Sequence, residues 1–179
     1  MSTTTDPFAV WITGLPASGK STLAAALGRE LARRGIDAEV LESDELRRVI
    51  TPHPRYDEEE RDAFYGAMLE IGRLLVRHGV PVVFDATANL RRYRDRARAV
   101  LPRFLEVYVE CPIEVCEARD PKGLYRKARQ GKLLALPGLQ ASFEPPLHPD
   151  LVVRGDLEDP GAAAKRILAA LEALSFVHP

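Results

Sequence analysis

The chain has 179 residues, enough to bury the core of one domain, and its 25 basic side chains nearly balance its 26 acidic ones. Without an excess of Lys and Arg, this composition argues against a general nucleic-acid or membrane-surface binder. No apolar run reaches the roughly 18 residues that a membrane span needs, and two cysteines do not form a disulfide framework. We therefore expect a cytoplasmic protein whose partners include no nucleic acid and no membrane. The first six residues lack a signal-peptide pattern and are predicted to be a flexible lead-in to one domain spanning residues 1–179.

The first predicted elements are an apolar strand, a glycine-rich turn and a helix. The strand covers residues 8–13, and residues 23–34 are rich in strong helix formers. Between them stands the pattern G-x-x-x-x-G-K-[ST], formed by Gly14, Leu15, Pro16, Ala17, Ser18, Gly19, Lys20 and Ser21. In this context the pattern is typical of a P-loop, whose backbone amides and helix N-terminus hold nucleotide phosphates. We predict that these residues and Thr22 bind ATP, that Lys20 reaches the β- and γ-phosphates, and that the Ser21 hydroxyl helps to hold Mg²⁺.

Strand-like and helix-like segments then alternate to the end of the chain. Further strands are predicted at 38–41, 80–84, 104–109 and 151–153, and further helices at 57–78, 90–101 and 160–174, with a short helix from Ser43. This alternation predicts an α/β protein with the three-layer P-loop NTPase fold, a five-stranded parallel sheet flanked by helices. Residues 120–149 have little strand pattern and are rich in Lys, Gly and Pro. We expect them to form a lid and covering segment over a cleft.

Two aspartates follow predicted strands. Asp44 comes after the second strand and Asp85 after the third, so both lie at the carboxyl ends of the strands, where such sheets bind ligands. Either carboxylate suits Mg²⁺ binding through water or acceptance of a proton from an attacking hydroxyl. The alternatives are a helix N-cap for Asp44 and a loop carboxylate bonded to backbone amides for Asp85. We predict that Lys20, Asp44 and Asp85 are catalytic and that Asp44 joins Ser21 at Mg²⁺, although the sequence leaves open which aspartate binds the metal.

Basic side chains gather in the predicted covering segment and just before it. They are Arg119, Lys122, Arg126, Lys127 and Arg129. Positive charge here would close over phosphates and neutralise the transition state, and we assign Arg119 to ATP binding. The arginines of residues 91–98 spread over several faces of a helix. Most of them are therefore expected in solvent, with one or two available to an anionic substrate.

The most specific pattern covers residues 116–129 and reads CEARDPKGLYRKAR. It closely resembles the lid sequence of the adenylylsulfate (APS) kinase family. The resemblance extends from Trp11 to about Val153 and includes the opening strand, the Asp-x-x-Arg pattern of residues 44–47, and residues 56–61 and 103–107. The family transfers the γ-phosphate of ATP to the 3′-hydroxyl of APS. The resemblance thus implies a kinase with ATP and Mg²⁺ as cofactors, a small hydroxylated molecule as acceptor, and a homodimer.

The resemblance also implies roles for individual residues. Asp44 would meet the acceptor hydroxyl or Mg²⁺, Arg47 and Arg61 would contact the phosphosulfate, and Lys122 with Leu124 would line the lid. In the family two aromatic rings sandwich the adenine of the acceptor. Here Tyr56 would supply one face.

The departures from the family pattern fall in the acceptor site. The family's Asp-Gly-Asp is here 42–44, its Asn is Phe64, its Ile-Ser-Pro is Thr87, Ala88 and Asn89, and its Phe-Thr-Gly is 136–138 with Leu136 replacing the second ring. The predicted acceptor-binding residues are Asp44, Arg47, Tyr56, Arg61, Phe64, Thr87, Ala88, Asn89, Lys122, Leu124 and Leu136. APS is the first choice of acceptor. The alternatives are a kinase for another small hydroxylated metabolite and a nucleotide-binding regulatory module without turnover.

Overall fold

Five parallel strands form a single sheet in the computed structural model, which describes residues 6–178. The predicted lead-in lies outside the described residues except for Asp6. The strands are β1 (Ala9–Gly14), β2 (Glu39–Glu42), β3 (Val82–Asp85), β4 (Phe104–Glu110) and β5 (Leu151–Arg154). The helices are α1 (Lys20–Arg33), α2 (Ser43–Ile50), α3 (Glu58–Arg77), α4 (Arg91–Val100), α5 (Ile113–Arg119), α6 (Leu124–Arg129) and α7 (Pro160–Ala173).

The strand order β2-β3-β1-β4-β5 places β1 at the centre of the sheet. Every neighbouring pair is parallel, so all five strands end at the same edge. At that edge Asp85 lies opposite Ile12 of β1 and opposite Glu42 of β2. The predicted five-stranded parallel sheet flanked by helices is confirmed, and it brings the chain after β1, β2 and β3 to one place.

Helices cover both faces of the sheet, and the alternation of side chains along β1 serves both cores. Val10 and Ile12 pack with α1 and α7, whereas Ala9 and Trp11 pack with α3 and α4. The ring of Trp11 stacks on Phe84 at a centroid distance of 4.5 Å. Two-sided burial explains why the strands read as nearly continuous apolar runs.

Two short helices, one in the covering segment and one just before it, were not among the predicted elements. The covering segment contains α6, and the chain just before it forms α5. Most arginines of residues 91–98 were expected in solvent, and Arg94 is an exception, because it is buried 3.5 Å from Glu106 and donates a hydrogen bond to the carbonyl oxygen of Glu144. Arg94 therefore fixes the covering segment to the body of the protein instead of facing solvent.

Within residues 6–178 no helix combines the length and the apolar character that crossing a bilayer requires. The cytoplasmic location stays a prediction.

Candidate active site

The glycine-rich turn between β1 and α1 has the backbone geometry of an anion cradle. Gly14, Ala17 and Gly19 all have positive φ angles, of 154°, 62° and 105°. A Cβ on Gly14 would lie 2.5 Å from the carbonyl oxygen of Val109, so only glycine fits there. The Ser18 hydroxyl is buried in the loop, and no atom of residues 6–178 forms a hydrogen bond with it. The turn thus holds left-handed backbone and a buried polar group beside the N-terminus of α1, where a phosphate is favoured.

Lys20 lies in the first turn of α1 and folds back over the loop. Its ammonium donates a hydrogen bond to the carbonyl oxygen of Leu15 at 2.8 Å. Burial lowers the pKa of Lys20, and the nearby carboxylates of Asp85 and Asp44 oppose that shift. An anionic ligand in the loop would add to this opposition and favour the charged ammonium.

Three carboxylates meet at the carboxyl ends of β2 and β3. Asp85 is 3% exposed, and burial raises its pKa, while the Lys20 ammonium and the nearby Ser21 side chain oppose that shift. Asp44 is half-exposed in the first turn of α2 and forms an ion pair with Lys122 of the covering segment. Glu42 lies 3.9 Å from the same Lys122 ammonium, and burial raises the pKa of Glu42. Asp44 is therefore not an N-cap, a position that Glu42 occupies.

Two adjoining cavities open at this edge of the sheet. The first, of about 700 Å³, contains residues 16–23, Asp85, Arg119 and the turn 155–160 after β5. The second, of about 350 Å³, lies between α2, α3 and residues 133–137. The residues that line both are Pro16, Ser43, Asp44, Thr87, Lys122 and Leu124. Both volumes suit small ligands, and the shared wall places two ligands next to each other at Asp44 and Lys122.

Most of the predicted acceptor residues line the second cavity. They are Asp44, Arg47, Tyr56, Arg61, Thr87, Lys122, Leu124 and Leu136. Leu136 also packs into a buried cluster with Cys116 and Tyr125. Its side chain therefore contributes to the core as well as to the cavity.

Three predicted acceptor residues are buried behind the cavity instead of lining it. The ring of Phe64 lies on the inner face of α3, with the Arg47 guanidinium 3.8 Å from its centroid. Ala88 has a φ of 40° and its amide donates to the Tyr65 hydroxyl at 3.0 Å, which turns the chain inward after β3. Asn89 follows it into the interior. Their positions therefore give no support to a direct contact between these three residues and a ligand.

Arg61 is a buried cation without a carboxylate partner. Its side chain is 6% exposed and donates hydrogen bonds to the carbonyl oxygens of Tyr56 at 3.0 Å and Ala135 at 2.6 Å, and to the amide oxygen of Asn89 at 3.3 Å. Arg47, by contrast, pairs with Glu60 at 3.2 Å. Among residues 6–178, Arg61 forms no salt bridge with any carboxylate. A desolvated charge with only neutral partners is costly, and an anion in the cavity would offset that cost.

The basic residues of the covering segment divide between the cavities and solvent. Arg119 lines the first cavity and donates to the carbonyl oxygen of Gly155 at 2.8 Å. The three basic side chains at the end of α6 line neither cavity, and Arg129 pairs with Glu117 at 2.7 Å on the surface. The predicted closure of positive charge over phosphates is thus limited to Arg119 and Lys122 in this structure.

Sequence reasoning missed part of the first cavity. Gly155 packs so closely on the P-loop that a Cβ there would lie 2.2 Å from the carbonyl oxygen of Ser18. Residues 156–160 continue the same wall, and Tyr125 anchors α6 by donating its hydroxyl to the carbonyl oxygen of Pro16 at 3.0 Å. Sheets of this kind bind ligands at the carboxyl ends of their strands, and the same reasoning applied to the fifth strand would have identified the turn after β5.

The family model for adenylylsulphate kinase matches residues 6–154. The chain belongs to the adenylylsulphate kinase family. It is 37% identical over 169 residues to an adenylyl-sulfate kinase of Gloeothece citriformis, covering 94% of this chain and 96% of that protein. A relative with the same name from Chloroflexus aurantiacus is 39% identical over 175 residues, covering 98% of this chain and 94% of the relative.

A solved structure of this family resembles the chain along nearly its whole length. The APS kinase of Mycobacterium tuberculosis in complex with AMPPNP and APS has a TM-score of 0.88 to this chain and is 33% identical, covering 93% of this chain and 98% of that one. The family resemblance predicted from the lid and P-loop patterns is confirmed.

Proposed function

We propose that this chain is an ATP-dependent adenylylsulfate kinase, which transfers the γ-phosphate to the 3′-hydroxyl of APS and yields 3′-phosphoadenylylsulfate. The observation that carries the proposal is the pair of adjoining cavities, one lined by the P-loop and the other holding the buried, uncompensated Arg61. Residues 1–179 act as one kinase domain, in which residues 120–149 form the lid and covering segment. Family membership supports the same reaction.

The first cavity binds ATP in this proposal. The P-loop from Gly14 to Thr22 holds the triphosphate, Lys20 neutralises its outer phosphates, and Arg119 borders the nucleotide beside the turn after β5. Catalysis of phosphoryl transfer rests on positioning and on charge neutralisation. The unpartnered Ser18 hydroxyl and the desolvated Lys20 support an anionic occupant.

The donor atoms beside the P-loop suit Mg²⁺, because hydroxyl and carboxylate oxygens are its preferred protein ligands. We assign Ser21 and Asp85 to the ion, in preference to the sequence-based choice of Asp44. Ser21 and Asp85 line the first cavity and not the second, whereas Asp44 lines both. Residues 6–178 contain no group of three or more His, Cys, Asp or Glu side chains that would hold a metal by themselves. Ser21 and Asp85 would hold the ion together with phosphate oxygens of the nucleotide, and the ion would supply neutralisation of the charge that develops during transfer.

Asp44 acts at the junction of the two cavities. The 3′-hydroxyl oxygen of the acceptor forms a bond to the γ-phosphorus, the bond to the β-phosphate oxygen breaks, and ADP leaves. Asp44 orients the hydroxyl and accepts its proton. Lys122, now paired with Asp44, exchanges that partner for phosphate oxygens when both ligands are present.

The second cavity binds the acceptor. Arg61 and Arg47 contact the phosphosulfate, and the Tyr56 ring with Leu136 flanks the adenine. Thr87, Lys122 and Leu124 complete the wall beside the reacting hydroxyl. Eight of the eleven predicted acceptor residues therefore line the second cavity, while Phe64, Ala88 and Asn89 support it from behind. A homodimer is part of the proposal, and light scattering after size-exclusion chromatography measures it.

The test follows ADP release and formation of the phosphorylated product with MgATP and APS, comparing wild type with Arg61→Gln. Charged hydrogen bonds contribute about 1.5–3 kcal/mol, so the KM for APS should rise roughly 10- to 150-fold while the KM for ATP stays unchanged. Arg73→Gln is the matched control, because Arg73 also lies on α3 but pairs with Glu70 at the surface.

The outcomes separate the three functions. ATP binding without APS-dependent ADP release would remove APS as the acceptor, and ADP release with another hydroxylated compound would select the kinase for a different metabolite. Absence of turnover with a broad panel of hydroxyl compounds would select the regulatory module.

A further inference from the structure

Asn89 is a buried amide that joins three parts of the protein. It is 3% exposed, and its side-chain oxygen accepts a hydrogen bond from Arg61 at 3.3 Å. Its side-chain nitrogen donates to the carbonyl oxygen of Ser142 at 2.9 Å, and its backbone oxygen accepts from the amide of Glu144 at 2.7 Å. The amide therefore connects the cation of the acceptor cavity to the far end of the covering segment.

We propose that Asn89 is a positioning residue that orients the Arg61 guanidinium toward the anionic group of the acceptor without neutralising its charge. This inference rests on the proposed function. The other two acceptors of Arg61 are the backbone oxygens of Tyr56 and Ala135, which come from different loops. Among residues 6–178, Asn89 supplies the only side-chain oxygen that accepts a hydrogen bond from Arg61. An amide oxygen fixes the guanidinium plane and leaves the positive charge available.

The amide is itself held rigidly from both sides. On one side, the backbone N–H of the preceding residue, Ala88, donates to the hydroxyl of Tyr65, and the Tyr65 ring packs in the core beside α3. On the other side Asn89 is held directly by the carbonyl oxygen of Ser142, at 2.9 Å from its side-chain nitrogen, and by the backbone amide of Glu144, at 2.7 Å from its backbone oxygen. The Glu144 carboxylate accepts from the backbone amide of Arg91 at 2.8 Å and is a separate contact between the covering segment and α4. An anchored amide can hold Arg61 in one orientation, and this is the condition for preorganised recognition of an anion.

The experiment compares Asn89→Leu and Asn89→Asp in steady-state assays with APS and MgATP. Asn89→Leu removes the side-chain acceptor, and the KM for APS should rise at least fivefold. Asn89→Asp keeps the shape and the acceptor but places a carboxylate against Arg61, and the KM for APS should rise more than tenfold. The KM for ATP should stay within twofold in both variants.

Two further variants separate positioning from a structural role. Glu144→Ala loosens the covering segment without removing a bond of Asn89, so it should lower the melting temperature and leave the KM for APS within twofold. In an Arg61→Gln background, the Asn89 substitutions should add nothing further to the KM for APS, because the group through which Asn89 acts is gone. If Asn89→Leu aggregates, Asn89→Ser replaces it with the same expectation.

The results distinguish this inference from the function beneath it. Wild-type turnover of APS together with an unchanged KM in the Asn89 variants would overturn the positioning role alone. So would a rise in KM for Glu144→Ala equal to that of Asn89→Leu, or additive effects in the Arg61→Gln background. Absence of APS turnover by the wild type would overturn the proposed function and the positioning role with it.

Discussion

Gly72 of α3 lies against an aromatic stack that supports the active-site edge of β3. A Cβ at this position would lie 2.2 Å from Cζ and 2.6 Å from Cε1 of Phe84. The Phe84 ring has no room to retreat, because it is fully buried and stacks on Trp11 at 4.5 Å with an interplanar angle of 14°. Phe84 directly precedes Asp85, so displacement of the ring also moves the end of the strand that carries this carboxylate. We therefore expect Gly72→Ala to lower both stability and activity.

The magnitude follows from two opposing effects. Overpacking of a core costs about 1–3 kcal/mol, whereas alanine in a helix interior is favoured over glycine by up to about 1 kcal/mol. Gly66 on the same helix is the matched control, since it is exposed and a Cβ there meets no atom within 4 Å. Gly66→Ala should stabilise by about 0.5–1 kcal/mol. Because the propensity gain is common to both, the two variants should differ by the overpacking cost alone, about 1–3 kcal/mol in free energy of unfolding, and by roughly 2–12 °C in melting temperature.

Urea denaturation with a common m-value and thermal melts measure this difference, and initial rates with MgATP and APS measure the effect on β3. If Gly72→Ala proved as stable as Gly66→Ala, the argument that the Phe84 ring is clamped between α3 and Trp11 would be refuted.

Two further predictions concern the ionised groups beside the P-loop. Lys20→Ala should reduce turnover by at least 100-fold, the scale of losing one charged stabiliser of the transition state, and initial rates that approach wild type would contradict the kinase assignment. We expect an acidic limb in the pH–rate profile of the wild type, because the Asp85 pKa is raised and its carboxylate is lost as pH falls through that value, and Asp85→Asn should remove this limb. Because the pKa of Asp85 is raised in the folded state, the folded protein takes up this proton at a higher pH than the unfolded chain does. The free energy of unfolding of the wild type, relative to that of Asp85→Asn, should therefore increase as pH falls from 7 through the raised pKa toward 3.8. If unfolding titrations showed a difference that does not change with pH, the Asp85 charge would not be desolvated.

Several parts of the site could be predicted because they are contiguous in the chain. The P-loop is eight successive residues, and its strand and helix are visible on either side. The strand ends identify Asp44 and Asp85 for the same reason, since a strand's last residue faces the ligand edge wherever the strand lies in the sheet. The sequence did not show that Asp85 is buried beside the first cavity whereas Asp44 is half-exposed between the two cavities. That difference depends on the register of β2 and β3 and on the position of α2, which are properties of the folded protein.

The second cavity could be predicted only in part. The resemblance to the family identified Arg47, Arg61 and Leu136 as a set, but not that Arg61 would be buried without a carboxylate or that Leu136 would belong to a core cluster. Phe64 and Asn89 were predicted to bind the acceptor, and in the structure both are buried and do not line the second cavity. A single position on a helix or in a loop does not reveal whether its side chain turns toward a cavity or toward the core.

The sequence by itself determined the parallel α/β fold, the P-loop and the family, because hydrophobic periodicity and short contiguous motifs encode these features locally. The tertiary structure decided the acceptor cavity, the burial of Arg94, and the linkage of Arg61 through Asn89 to the covering segment. Each of these depends on polar groups buried by segments that are far apart in the chain, and hydrogen bonds of Arg61, Asn89 and Arg94 join residues 28 to 74 positions apart. Desolvation is set by all the atoms that surround a group, and those neighbours come together only when the chain has folded.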